Sequence, residues 1–343
     1  MGIIANFALA NVHRGHRQAC GTALASLSMK TIYLDDNTAP QEPCVATIGF
    51  FDGVHRGHQF LISRVRHEAA ECGLRSLVVT FDRHPRQVLS ADYQPELLST
   101  LDTKLMLLSQ TGVDATALLH FDKHMASLSA RDFMEQVLRN KLGVRRLIIG
   151  YDNRFGHNRA EGFDDYVRYG RELGMEVVHN EAYTLDGIQV SSSVVRALVK
   201  EGEVDLANRC LGYPYTIAGT VVSGHQEGRR MGFPTANLDT ANFGQLVPGG
   251  GVYAVKVRLE HSKAFRPAMM NIGTRPTFGG TTTSLEVHIF NFNENIYGRM
   301  MLVSFEHRIR EERKFDNVTM LVEQLKDDEK MVEQYFENNH NHE

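Results

Sequence analysis

Cysteine is scarce in this 343-residue chain: Cys20, Cys44, Cys72 and Cys210 are widely spaced and form no C-x-x-C pair. That argues against a zinc ribbon, a redox dithiol and a disulfide scaffold, and leaves free buried thiols in a reducing cytoplasm as the expectation. Long apolar runs are missing too; none approaches the ~18 residues of a membrane span. Positive charge is not in surplus, since 37 Lys and Arg stand against 41 Asp and Glu, a net charge of −4. No global field therefore calls for nucleic acid or an anionic membrane. Long low-complexity and collagen-like stretches are absent. Acids are absent before Asp35. The apolar stretch at 3–10 lacks a basic region ahead of it, a poor match to a signal peptide. Gly2 does not complete a myristoylation motif, because Asn6 stands where Ser or Thr is needed. Residues 1–28 are expected to form a leader outside the fold, whose removal leaves turnover intact.

Apolar residues make up 42% and charged residues 23%, enough for real cores. The length suggests about two domains at roughly 150 residues each. The first half alternates. Strands are expected over 31–34, 44–51, 74–81, 116–121, 145–150 and 176–179, and helices over 59–72, from 104, and over 130–141, 164–173 and 194–201. In the 59–72 helix, Leu61, Val65, Ala69 and Cys72 share a face and Gly73 is the C-cap. This order implies a doubly wound parallel sheet. Near 206–213 the pattern changes to glycine-punctuated strands (215–222, 252–259, 268–272, 284–290, 300–308), the mark of a small antiparallel barrel. An amphipathic helix over 318–338 and a frayed tail at 338–343 close the chain. The expected class is α/β plus all-β, with domains at 29–205 and 206–343.

In the first half, Gly49-Phe50-Phe51-Asp52-Gly53-Val54-His55-Arg56-Gly57-His58 joins a buried strand to a helix through an Asp-Gly turn. A helix N-terminus offers free N–H groups and a positive dipole end, and imidazoles placed there can donate to phosphate oxygens. The plain alternative is a pair of surface histidines; a zinc site lacks a third ligand nearby. The V-H-R-G-H string also occurs at 12–16, without a strand or Asp-Gly turn before it, and is read as a decoy. Phe81-Asp82-Arg83-His84-Pro85 and Gly150-Tyr151-Asp152-Asn153-Arg154-Phe155-Gly156 follow two further strands, at the carboxyl edge where parallel sheets bind ligands. Ser191, Ser192 and Ser193 open a short helix that they can cap, with Arg196 one turn in, able to meet a phosphate.

In the second half, Gly224, Gly228 and Gly232 make a loop whose backbone can approach phosphate, though a plain glycine-rich hairpin reads the same way. Pro234-Thr235-Ala236-Asn237 follows; Thr and Asn supply neutral oxygens suited to Mg²⁺ that keeps its waters. No G-x-x-x-x-G-K-[ST] loop is present. Over 284–290, Leu285, Val287 and Ile289 face one way and Ser284, Glu286 and His288 the other. Glu286 is either a base for an attacking alcohol or an exposed residue on the outer face of a barrel.

Taken in order, G-F-F-D-G-V-H-R-G-H, F-D-R-H-P, G-Y-D-N-R-F-G and S-S-S-V-V-R resemble the HxGH-type adenylyltransferase module of the bacterial bifunctional riboflavin kinase/FAD synthetase family. M-G-F-P-T-A-N, N-I-G-T-R-P-T-F, L-E-V-H-I-F-N-F and R-I-R-E-E-R-K-F-D resemble its riboflavin kinase module. The resemblance implies that Gly49, Phe50, Asp52, Gly53, His55, His58, Ser191, Ser192 and Arg196 bind ATP, with both histidines catalytic. It implies that Phe81, Asp82, His84 and Asp152 border the flavin nucleotide. In the second module it implies ATP at Gly224, Gly232, Pro234, Thr235 and Asn237, Mg²⁺ at Thr235 and Asn237, and Glu286 as general base on the ribityl 5′-hydroxyl. Asn271, Arg275 and Arg310 are looser flavin-side candidates. The family more often has Pro at the position of Arg83, an acid at that of Tyr151 and an aromatic at that of Asn153.

The implied activity is phosphorylation of riboflavin by ATP to FMN, then adenylylation of FMN to FAD and pyrophosphate. The expected enzyme is cytoplasmic, a monomer or weak homo-oligomer, with small-molecule substrates and no nucleic-acid or membrane partner. The alternatives are a riboflavin kinase whose first module is weak or takes another phosphorylated acceptor, and a flavin-binding protein without turnover.

Overall fold

The runs 44–48 and 115–119 of the first half are apolar at four of five positions each, which suits strands covered on both faces. The computed structural model describes residues 29–35, 37–90, 92–157, 161–224, 227–239, 244–277 and 280–340. The expected leader, its V-H-R-G-H repeat and residues 341–343 lie outside the described residues. Two compact units result, 29–192 and 193–340. The second unit therefore includes the helices Ser192–Glu201 and Val204–Leu211 apart from Ser192 itself.

In the first unit, β1 (Lys30–Leu34), β2 (Cys44–Ile48), β3 (Arg75–Phe81), β4 (Ala115–Leu119), β5 (Val144–Ile149) and β6 (Glu176–His179) form a parallel sheet in the order β1-β4-β3-β2-β5-β6. The order reverses between β2 and β5, and such a reversal opens a crevice at the carboxyl ends of the strands. The helix after β2 runs Arg56–Cys72 and buries Leu61, Ile62, Val65 and Ala69. Gly73 ends it in the left-handed conformation, φ 64°. Two expectations need correction. The helix starts at Arg56 rather than 59, because the His55 side chain caps it. Cys72, in the last turn, is exposed rather than on the apolar face; Cys44 and Cys210 are buried as expected. A two-residue hairpin, β7 (Thr184–Leu185) and β8 (Ile188–Gln189), turns at Asp186-Gly187, both with positive φ.

In the second unit, β9 (Thr216–Val222), β10 (Ala236–Leu238), β11 (Gly251–Leu259), β12 (Arg266–Thr277), β13 (Gly280–Ile289) and β14 (Met300–Arg310) close into an antiparallel barrel, ordered β10-β13-β12-β11-β14-β9. β10, formed by the Ala236-Asn237-Leu238 run, is a strand that its length of three residues hid from periodicity. Leu285, Val287 and Ile289 are buried with the barrel interior, as their alternation required. The closing helix, Val318–His340, lays Val332 and Phe336 on the outer-face residues Val252, Ala254 and Met269. It continues past the expected fraying point at 338.

Candidate active sites

β2 ends where the sheet order reverses, and its continuation is tightly wound. Phe51 and Val54 take positive φ, 54° and 36°, on either side of Gly53 at 71°. Such angles in bulky residues cost about 1–3 kcal/mol each and persist only where surroundings over-determine them. Asp52 does this. Its buried carboxylate accepts from the backbone N–H of Leu98 (3.0 Å) and Ser99 (3.1 Å) and from Ser99 Oγ (3.2 Å). The residue expected at ATP is thus also the post that fixes the turn.

The turn delivers both histidines to the start of the Arg56–Cys72 helix. His55 is buried, and its Nδ1 accepts from the His58 backbone N–H at 3.3 Å. With Nδ1 as acceptor, Nε2 carries the ring proton and is a donor. The two rings stack at 3.6 Å. Gly57 between them is obligatory: a Cβ there would stand 2.9 Å from the Val190 carbonyl oxygen and 3.1 Å from the His55 ring. Ser192 Oγ donates to the Asp52 carbonyl at 3.3 Å, so the serine motif reaches the same turn. Arg196 lies one turn further along its helix, in the second unit.

The neighbouring strand ends form an aromatic and charged edge. Phe81 is buried against Phe121, and Asp82 accepts from the Phe121 N–H (3.2 Å) and contacts His120 Nδ1 (2.6 Å). Although burial pushes the other way, the Phe121 and His120 hydrogen bonds, with the charges of His120 and Arg83, hold the Asp82 carboxyl below its usual range. His84 caps the following turn and meets Phe50 edge-on at 4.9 Å. Asp152 is exposed on the loop after β5, while Asn153 Nδ2 donates to the Ile48 carbonyl across the crevice.

In the barrel the decisive feature is register. Asn237 pairs with Glu286, Glu286 with Asn271, Asn271 with Val252, and Val252 with Arg310. Paired residues share a face, so one row crosses β10, β13, β12, β11 and β14 on the outside of the barrel. All five line one cavity of about 240 Å³, with Thr235, His288 and the apolar Met269, Phe315, Leu321 and Leu325. Asn237, Thr235, Glu286, Asn271 and Arg310 were all sequence candidates, and the fold brings them together. Arg275 pairs with Thr282 on the same two strands; its side chain is outside the described ones. Thr235 also lines a second cavity of about 550 Å³, walled by Val221, Phe292, Asn295 and Tyr297.

Close backbone approach explains two glycines here. A Cβ on Gly224 would collide with Asn237 Nδ2, and one on Gly228 with the Phe233 carbonyl. Gly232 takes φ 88° before Phe233 and Pro234. The Pro234 carbonyl accepts from His288 Nδ1 at 2.8 Å. His288 Nε2 lies 3.6 Å from Glu329 of the closing helix. Arg310 spends its fork on Asp328 of that helix, with contacts of 2.7–3.1 Å, and Asp328 is fully buried. Arg310 therefore tethers the helix that walls the cavity. Asp328→Ala should cost about 3–5 kcal/mol, the price of stranding one member of a buried pair. Urea unfolding reads that loss.

Residues 37–194 match the FAD synthetase family and residues 211–336 the riboflavin kinase family. The bifunctional riboflavin kinase/FMN adenylyltransferase of Escherichia coli (strain K12) is 37% identical over 298 residues, covering 87% of this chain and 94% of that protein. The chain belongs to the bifunctional riboflavin kinase/FMN adenylyltransferase family. The counterpart from Haemophilus influenzae is 39% identical over 293 residues (85% and 94% covered), and that from Bacillus subtilis 36% over 324 (90% and 99%). A solved Streptococcus pneumoniae structure described as a macrolide-efflux protein aligns with TM-score 0.80 and 31% identity, over 89% of this chain and 99% of its own. Among the described residues of this family member, no helix is long and apolar enough to cross a membrane.

The chain is an enzyme with both activities, and ATP, riboflavin and FMN are its substrates. Sequence reasoning missed His288, Asp328 and Lys104. Their signals were weak. Lys104 falls on the apolar face of the Leu101–Gln110 helix, three residues before Leu107 and four before Leu108, where a lysine is out of place.

Proposed function

We propose that each reaction has its own site, one in each unit. The observation that carries this is the barrel row with Glu286 between Asn237 and Asn271. Riboflavin occupies the smaller cavity, its ring against Met269, Phe315, Leu321 and Leu325, and its 5′-hydroxyl toward Glu286. ATP occupies the larger cavity and presents its γ-phosphate at the shared Thr235 wall. Glu286 takes the hydroxyl proton as the oxygen bonds to the γ-phosphorus and the bond to the bridging oxygen breaks, releasing ADP. Thr235 and Asn237 offer neutral oxygens beside the closely approaching backbone of Gly224 and Gly228, a set that fits Mg²⁺ sharing its shell with water and phosphate. When bound, the ion neutralises phosphate charge.

In the first unit an FMN phosphate oxygen attacks the α-phosphorus of ATP and pyrophosphate leaves. The His55 and His58 ring donors and the helix N-terminus meet the charge that builds on the phosphate oxygens. Ser191 and Ser192 close the site from the helix that Ser192 begins, and Asp82, His84 and Asp152 border the flavin nucleotide. The working modules are 29–205 and 206–343. The protein acts in the cytoplasm, as a monomer or weak homo-oligomer, without nucleic acid or membrane.

The test is a chromatographic time course with riboflavin, ATP and Mg²⁺. FMN should appear first and FAD after a lag. FAD appearing without a lag, at a rate that added FMN does not alter, would sink the two-site reading.

A further inference from the structure

Lys104 is 3% exposed, yet its ammonium's hydrogen bonds go to neutral oxygens. Nζ donates to the carbonyls of Phe50 (3.2 Å) and Phe81 (2.8 Å) and lies 4.1 Å from the Phe50 ring centroid. Those carbonyls mark the carboxyl ends of the adjacent strands β2 and β3. One chain runs on from there into the histidine turn, the other into Asp82-Arg83-His84. The negative charges of Asp52 and Asp82 act on it. The carboxylate of Asp52 accepts from Leu98 and Ser99, and that of Asp82 from Phe121 while it meets His120 and Arg83. A buried cation without a carboxylate in its hydrogen-bond shell is a burden on the fold; a methionine would fill the same space without it. The burden sits at the edge where two phosphate-bearing substrates meet.

We propose that Lys104 is a positioning residue of adenylyl transfer, tying the ends of β2 and β3 so that the histidine turn and the Asp82 loop face the reaction together, and offsetting the negative charge brought by ATP and FMN. This rests on the first unit performing that transfer. Burial lowers the lysine's pKa to about 8, against the opposing pull of Asp52 and Asp82. The folded state therefore carries the charge below about pH 8 at a cost to stability. That cost fades as pH rises from about 8 toward the ordinary value of 10.5. Over this window the group's contribution to stability rises while the positive charge that it sets against the substrates' phosphates is lost. A merely structural bond would make stability and transfer fall together.

The experiment uses the full-length protein and Lys104→Met. FAD formation from supplied FMN, FMN formation from riboflavin, and Tm are followed from about pH 6.5 to 9.5. The variant should keep its kinase rate, keep or raise its Tm, and lose about tenfold or more of transfer at neutral pH. Wild-type transfer should decline above about pH 8, a limb absent from the variant. Transfer within about twofold of wild type, or a variant that retains the alkaline limb, overturns the inference. So does joint loss of both activities and of Tm alongside a wild type with no limb. Wild-type protein making no FAD from supplied FMN would instead overturn the assignment of transfer to the first unit.

Discussion

Glu286→Gln should cut FMN formation by about 10²–10⁴-fold, the usual worth of a general base. Glutamine keeps the length and polarity of the side chain, so the cavity shared with Asn237 and Asn271 keeps its shape. It cannot accept the proton of the 5′-hydroxyl. Riboflavin binding, read by flavin fluorescence, should change little, which places the loss in kcat rather than KM. FAD formation from supplied FMN should proceed at the wild-type rate, because the first unit is untouched. Fluorescence-verified binding with a wild-type kcat would remove Glu286 from the chemistry. Loss of both activities from a folded variant would make independent sites untenable.

His58→Ala should do the reverse: FAD formation falls by about 10²–10³-fold while FMN formation is spared. The expectation belongs to His58 rather than His55 for a structural reason. His55 Nδ1 caps the Arg56–Cys72 helix by accepting from the His58 N–H, so truncating His55 also removes a cap worth about 1 kcal/mol. His58 contributes its backbone to that cap, and alanine keeps the backbone. A pulse of FMN with excess ATP, with pyrophosphate release followed directly, gives the rate. A variant within threefold of wild type, roughly 0.7 kcal/mol of barrier, would leave His55 and the helix N-terminus as the sources of phosphate stabilisation.

Much of the architecture was legible because the patterns are local. β6 coincides with its expected range, and β1, β2, β3, β5 and β11 lie within a few residues of theirs; the shift from βα alternation to consecutive strands signalled the barrel. What escaped depended on partners distant in sequence. The helix start moved to Arg56 because a side chain, not an apolar period, caps it. β12 and β13 run longer than their apolar cores because pairing continues through Thr274–Thr283 and Arg275–Thr282, residues whose polarity looks like loop. The packing of the Phe81 ring against Phe121, forty residues on, was likewise not legible. Arg310 reads as a looser flavin-side candidate near the end of a strand; that Asp328, eighteen residues on, takes its fork was not legible.

By itself the sequence determined the class of chemistry: two histidines at a helix N-terminus after a buried strand, neutral oxygens beside a glycine-rich loop, and a glutamate on the polar side of an alternating strand. These follow from residue type and short-range spacing, which set backbone direction and side-chain face. Only the tertiary structure decided which of those groups share a site. Strand register is a matter of pairing between distant segments, as with Asn237 and Glu286, 49 residues apart, and no local pattern specifies it. The same holds for the burial of Lys104 between two strand ends, because burial is a property of what the rest of the chain places on top.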